Sequence, residues 1–272
     1  NPEIGSGGIR IHWHEEMEIV RVTRGTMRIT RNDEEFLLGV GETGIFMPGD
    51  IHAGAPAKGP AVDFECVVFN PDIMGSNLYD SWREKYLGPL KAGELAVPQF
   101  VGRESSRDRE ICGHLDEIMR VDLSREFAYE LETKGRLCLI LANLLSRAIP
   151  ISTADRRRRE TVGRFRAAIS LINEKSAGSL SIGELAQACG LSKFYFCRAF
   201  RRIFGSSPTE YINIVRIAKS MDRLESGDDK ILSIALDTGF NDVAYFDRVF
   251  RKHTGVTPAA YRKKIRKSNI VQ

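Results

Sequence analysis

The sequence predicts an α+β protein of two domains: an N-terminal small β-barrel followed by helices, and a C-terminal all-α domain made of two helix-turn-helix units. Three observations lead there. Short β-favouring runs broken by Gly and Pro fill the first part of the chain, apolar residues take up helical spacing from Asp108 onward, and a repeat of about 50 residues occupies the C-terminal part. At 272 residues, 42% hydrophobic and 28% charged, the chain has the length and composition of about two globular domains.

In residues 9–69 the runs MEIVRV, GTMRIT, EEFLLGVGE, TGIFMPGD and VDFECVVFNP are strand-like and separated by turn formers, the pattern of a sandwich or barrel. Residues 70–101 are irregular, punctuated by Pro71, Gly75, Pro89 and Pro98, and read as loops and short helices covering the barrel. Ile111, Leu115, Ile118 and Met119 then recur at helical spacing. A longer helix over about 129–147 carries Leu131, Cys138, Leu141, Leu144 and Leu145, with Ala148 beyond, as a wide apolar face. That face suits packing against its own chain and equally a seam between two chains. Pro150 ends the helical pattern, and the polar, basic stretch after it reads as a linker. The expected organisation is a barrel over 1–100, a helical segment with a dimerisation role over 101–149, a linker over 150–160 and the duplicated helical domain over 161–272.

The repeat is the most specific signal. IGELAQACGLSKFYFCRAFRRIFGSSPTEY, from Ile182, aligns with ILSIALDTGFNDVAYFDRVFRKHTGVTPAAY, from Ile231. Each copy reads as helix, tight turn at Gly190 or Gly239, then helix, with Ser181, Ser192 and Asn241 as N-caps. In the second helix of copy one, Phe196, Ala199, Phe200 and Ile203 form a buried stripe, while Phe194, Cys197, Arg198 and Arg201 face away from it. Copy two repeats this with Phe246, Val249 and Phe250 inward, and Ala244, Asp247, Arg248 and Arg251 outward. A helix that exposes Arg opposite its core fits the DNA major groove. A rigid helix between the copies, about 208–224, would set two such readers about 34 Å apart.

Charge agrees with that reading. Residues 150–272 hold 23 Lys+Arg against 12 Asp+Glu, a net +11, whereas residues 1–149 hold 17 against 24, a net −7. A basic half joined to an acidic half points to a polyanionic partner, the alternative being a solvated surface. No apolar run approaches a membrane span, and the first ten residues lack a basic segment followed by an apolar one, so a cytoplasmic protein is expected. The five cysteines form no CxxC pair and signal neither a disulfide framework nor a thiolate metal site. No nucleophile triad, P-loop or dinucleotide glycine motif suggests catalysis, so the chain is not expected to be an enzyme.

Residues 161–265 resemble the DNA-binding region of the AraC/XylS family, on the run Ile234-Ala-Leu-Asp-Thr-Gly-Phe, then Tyr245-Phe-Asp-Arg-Val-Phe-Arg-Lys and Gly255-Val-Thr-Pro. The resemblance implies a transcription regulator, an activator by preference. It implies base contacts from Phe194, Cys197 and Arg198 in the first reader and from Val243, Ala244, Asp247 and Arg248 in the second. Lys193, Arg201, Arg202, Arg251 and Lys252 suit phosphate contacts. Apolar Val243 and Ala244 suit thymine methyl groups, and Asp247 would accept from cytosine or orient Arg248.

At the N-terminus, His12-x-His14-x3-Glu18-x6-Gly25 and Pro48-Gly49-Asp50-Ile51-His52 resemble the two motifs of the cupin barrel, although Pro56 stands where cupin enzymes usually carry Asn. On a strand, residues 12, 14, 16 and 18 share one face, so His12, His14 and Glu18 can point inward with His52 arriving from a neighbour. Such a set lines a site for an organic effector, or binds a divalent transition metal. The expected partners are double-stranded DNA, a small-molecule effector (a carbohydrate is one candidate), a second copy of the chain and RNA polymerase, with no membrane. A cupin metalloenzyme tethered to a DNA-binding module is the alternative.

Overall fold

The structure, a computed structural model, describes residues 8–57, 61–74 and 82–270; Gly75 lies outside them. The chain divides into two compact units, one of residues 13–163 and the other of residues 1–12 with 164–272. Strand β1 (Ile9–His12) therefore belongs with the C-terminal helices.

The first unit contains β2 (Met17–Arg24), β3 (Met27–Arg31), β4 (Glu34–Leu38), β5 (Thr43–Phe46), β6 (His52–Pro56) and β7 (Asp63–Phe69). Later come helix α1 (Gly88–Lys91) and the short strands β8 (Leu95–Ala96) and β9 (Phe100–Val101). The strands form two antiparallel sheets, β6-β3-β4 and β7-β2-β5-β9. Alternation sets the faces: in β3, Met27, Ile29 and Arg31 are buried while Arg28 is exposed. β2 is buried from Met17 to Val22 because it is covered on both sides. Met17 and Ile19 join a core with Leu115, Ile118, Ile140 and Leu144 of two helices. Glu18, one residue out of phase, points to the other face.

Those helices are α2 (Ser106–Ser124) and α3 (Tyr129–Leu145). Ser105 caps α2 by accepting from the Asp108 amide at 3.0 Å. On α3 the buried stripe is Leu137, Ile140, Leu141 and Leu144, spaced i, i+3, i+4 and i+7. Leu131 and Cys138, expected on the apolar face, fall off that stripe and are exposed. The stretch 150–160, expected as a linker, is ordered into β10 (Ile149–Pro150), paired with β8, and α4 (Thr153–Gly163). Ser152 Oγ accepts the Asp155 amide at 3.1 Å, which starts the helix, and Arg158 Nε donates to Asp33 Oδ2 at 2.6 Å. Among the described residues no helix is long and apolar enough to cross a membrane.

The second unit holds α5 (Arg166–Lys175), α6 (Ile182–Ala188), α7 (Lys193–Phe204), α8 (Pro208–Ser226), α9 (Ile231–Asp237), α10 (Val243–Thr254) and α11 (Pro258–Ile270). Ser181 and Glu184 form a reciprocal capping box on α6, and Ser192 caps α7. The cap of α10 is Asp242, not Asn241: Asp242 Oδ1 accepts from the amides of Ala244 and Tyr245. The second copy carries one residue more between turn and helix, which moves its cap along by one. α8 serves two cores. Tyr211, near its start, packs edge-on to Phe200 at 5.4 Å, and Ile217 and Leu224 join Phe240, Phe246 and Phe250.

Candidate functional site

The two duplicated helices carry the first candidate site. α7 buries Phe196, Ala199, Phe200 and Ile203, and α10 buries Phe246, Val249 and Phe250. The opposite faces are open: Phe194 is 79% exposed, and Lys193, Arg198, Arg201 and Arg202 are exposed with it, while Cys197 is half-buried. On α10, Ala244, Asp247, Arg248, Arg251 and Lys252 are exposed and Val243 is half-buried. Arg198, Arg201, Arg202 and Arg251 pair with no carboxylate among the described residues. Arg248 lies over the Tyr245 ring, 5.8 Å from its centroid. Lys252 differs from its neighbours, because its Nζ sits 2.5 Å from Glu210 Oε1.

A polar clamp joins the two copies. From α8, Arg216 Nε donates to the Ser176 carbonyl at 2.7 Å and Nη2 to the Gly178 carbonyl at 3.2 Å, while Lys219 Nζ donates to the Asn173 carbonyl and to Ser176 Oγ. These oxygens end α5 and open the loop before α6. The Asn173 and Ser176 carbonyls are acceptors of the kind a helix C-terminus leaves unpaired. The Arg216 guanidinium also lies 5.7 Å from the Phe240 ring centroid, and the Gly239 turn of copy two closes on the same loop. A Cβ at Gly239 would stand 2.6 Å from the Ser176 oxygen and 3.0 Å from that of Ala177, at a φ of +95°. Only glycine fits there.

The second candidate site lies in the first unit. Glu18 on β2 is 1% exposed, and its Oε2 lies 2.9 Å from His14 Nε2 and 3.0 Å from His52 Nε2. The His52 ring stacks on Phe46 at 4.4 Å and meets the His14 ring edge-on at 5.2 Å. His14 Nδ1 faces the Glu16 carbonyl at 3.1 Å and His52 Nδ1 the Asp50 carbonyl at 3.0 Å. Burial opposes a charge on His14, but the Glu18 carboxylate outweighs it and holds the imidazole above its ordinary value of 6.5. Burial likewise works against the Glu18 charge, and the bonds from His14 and His52 overcome it, holding this carboxyl far below the usual carboxylate range.

His12, the remaining member of the expected set, ends β1 in the other unit, its Nδ1 2.7 Å from the Arg10 carbonyl oxygen. Cys66 is the residue that sequence reasoning missed. Although the residue as a whole is exposed, its thiol donates to Glu18 Oε1 at 3.1 Å, and desolvation together with the Glu18 charge pushes it up. The only sequence signal was its place on β7, paired in register with Val20, two residues from Glu18.

Two family models match this chain. An AraC-like ligand binding domain matches residues 8–141, and a helix-turn-helix domain matches residues 185–264. The chain is 22% identical to YdeC of Bacillus subtilis (strain 168), an uncharacterized HTH-type transcriptional regulator, over 95% of this chain and 87% of that protein. It is 36% identical to PqrA of Proteus vulgaris, a probable transcription factor, over 31% of this chain and 69% of that protein. Among solved structures it is similar to the DNA-binding domain of AdpA in complex with a target DNA. That match is 27% identical over 37% of this chain and 91% of the other, with a TM-score of 0.36.

Proposed function

The chain belongs to the AraC family of transcription regulators, a DNA-binding protein with an N-terminal ligand-binding domain, and on that premise we propose which residues meet DNA and the effector. The relatives named above are regulators rather than enzymes.

α7 and α10 enter successive major-groove segments of one duplex. Phe194, Cys197 and Arg198 read bases in one segment, and Val243, Ala244, Asp247 and Arg248 in the other. Lys193, Arg201, Arg202 and Arg251 hold phosphates, and Lys252 does so after leaving Glu210. The observation that carries this reading is the twin arrangement itself: each helix closes one face in a phenylalanine core and leaves an arginine at the same position of the opposite face.

Selection of bound fragments from random duplexes tests it, with two motifs about one helical turn apart as the expected outcome. Arg198→Ala should weaken binding by about 1–3 kcal/mol and relax the preference at one position of one motif, and Arg248→Ala should do so in the other. Unchanged preference in both variants would refute the assignment.

The effector is bound against His14, Glu18 and His52, all in the first unit. A carboxylate and two imidazoles among apolar strands give a small polar ligand, such as a carbohydrate, both donors and acceptors. One observation favours a second occupant. Both Nδ1 atoms are turned to backbone carbonyls, which leaves both Nε2 atoms facing Glu18 and so suits a divalent transition metal held by His14, His52 and Glu18. Such an ion would supply a Lewis-acidic centre for an oxygen-bearing ligand. Metal content of the purified protein separates the two, being lost in His14→Ala only if metal is bound. The regulator acts as a homodimer and an activator, with RNA polymerase as its further partner.

A further inference from the structure

The first unit contains another cleft, of about 340 Å³, lined by Arg31 and Asn32 at the end of β3 and by Arg158 and Arg159 on α4, with the carboxylates of Asp33, Glu34 and Asp155 also in its lining. Arg31 is inward-facing and its side chain is 3% exposed. Nη2 donates to Glu34 Oε2 at 3.1 Å, and Nη1 lies 3.8 Å from Asp50 Oδ2, beyond hydrogen-bond reach. Nε and Nη1 have no hydrogen-bond partner among the described residues. Spare donors on a buried cation are costly to leave unmade.

The acids nearby are already engaged. Asp50 accepts from the Met47 amide and from Asn32 Nδ2; Asp33 and Glu34 take Arg158; Asp155 takes the Ser152 hydroxyl. Burial makes the Arg31 charge harder to hold, Asp50 and Glu34 offset part of that, and Arg159, half-buried and lining the same cleft, adds to it while pairing with no carboxylate among the described residues. Two like charges sharing a wall repel unless an anion lies between them. The cleft also has an apolar lining, with Ile149, Pro150, Ile151 and Val162.

We propose that this cleft binds a small organic anion, a carboxylate or phosphate group carried on an apolar body, with its oxygens on Arg31 and Arg159. None of the residues lining the cleft belongs to the histidine-lined site, although Arg31 pairs with His52 across β3 and β6. Arg31 stands on β3 and Arg159 on α4, the last helix of this unit before the chain passes to residue 164. A shared anion would therefore hold α4 to the sheet, through the Arg31 donors Nε and Nη1 and the Arg159 guanidinium.

The full chain is titrated with hexanoate and, separately, with phenyl phosphate, chloride keeping ionic strength constant, and with hexanol as the uncharged control. Thermal midpoint and amide exchange over 153–163 are read in each case. At least one anion should raise the midpoint saturably and protect α4, hexanol should do neither, and the anion that acts tells carboxylate from phosphate. Arg159→Gln should weaken the response roughly tenfold, and Arg159→Lys should keep part of it. This variant, at a half-buried position, stays informative if Arg31→Gln fails to fold. The proposal is overturned if neither anion acts beyond the chloride control or if Arg159→Gln responds like the parent. A response lost in His14→Gln but kept in Arg159→Gln would likewise overturn it, by assigning the anion to the histidines.

Discussion

Glu18 is the side chain on which the ligand-binding unit is most exposed to pH. The His14 imidazole is held above 6.5, so its pairing with Glu18 stabilises fully below that pH and fades as pH rises through the folded value. The Glu18 carboxyl is held below its ordinary 4.5, so its share is present above that pH and fades as pH falls. Stability should peak between about 4.5 and 6.5. Trp13 and Trp82, both in this unit, report its melting by fluorescence, and Glu18→Gln should flatten both limbs. A parent profile without either limb would contradict the pairing. The histidine–carboxylate contact was legible in the motif, but not through the strand alternation expected over residues 12–18: β1 ends at His12 and β2 starts at Met17, so His14 reaches Glu18 from the connection between them. Cys66 was not, because a single thiol on a distant strand has no spacing motif, and only register brings it to Glu18. Asn241 was mistaken for a cap because Asn and Asp stand side by side and either side chain can accept the amides.

At the level of helices, the recognition elements were the easiest to read, since their apolar stripes repeat at helical spacing in two copies. α4 was the hardest. Four consecutive arginines and a single buried Val162 leave no stripe, and its order comes from partners far away in sequence such as Asp33. The clamp on the α5 terminus was equally invisible, because carbonyl acceptors leave no trace in a sequence. It makes a specific prediction. Arg216→Met should leave binding to a single half-site unchanged while broadening the spacing tolerated between two half-sites, measured on duplexes lengthened base pair by base pair. Retained strict spacing would show that α8 alone sets the geometry. Gly239→Ala should go further and cost stability as well, because its Cβ meets backbone oxygens that cannot move aside.

For the whole molecule, the charge asymmetry predicts a steep loss of DNA affinity with salt, as phosphate contacts release counterions. A shallow slope would argue against the arginine faces. The hairpin of α2 and α3 predicts self-association. Leu123, Phe127, Leu131 and Leu139 are exposed there, Leu139 at 54%. Leu139→Glu should convert a dimer to monomer in sedimentation and reduce binding to paired sites more than to one site. A parent that is already monomeric would remove that reading.

The placement of β1 has its own consequence. Ile9 is buried, Arg10 Nη1 lies 2.8 Å from Asp222 Oδ2, and the Ile11 carbonyl accepts from Asn173 Nδ2 and from the Tyr211 hydroxyl, both at 3.4 Å. The helical unit is thus discontinuous, completed by four residues separated from the rest by the 151 residues from 13 to 163. A fragment beginning at residue 164 would lose those partners and melt below the same unit in the full chain. Equal midpoints would show that the strand adds nothing. In synthesis order the first piece of this unit emerges before the ligand-binding unit and waits for helices made last, so its final closure is among the latest events of folding.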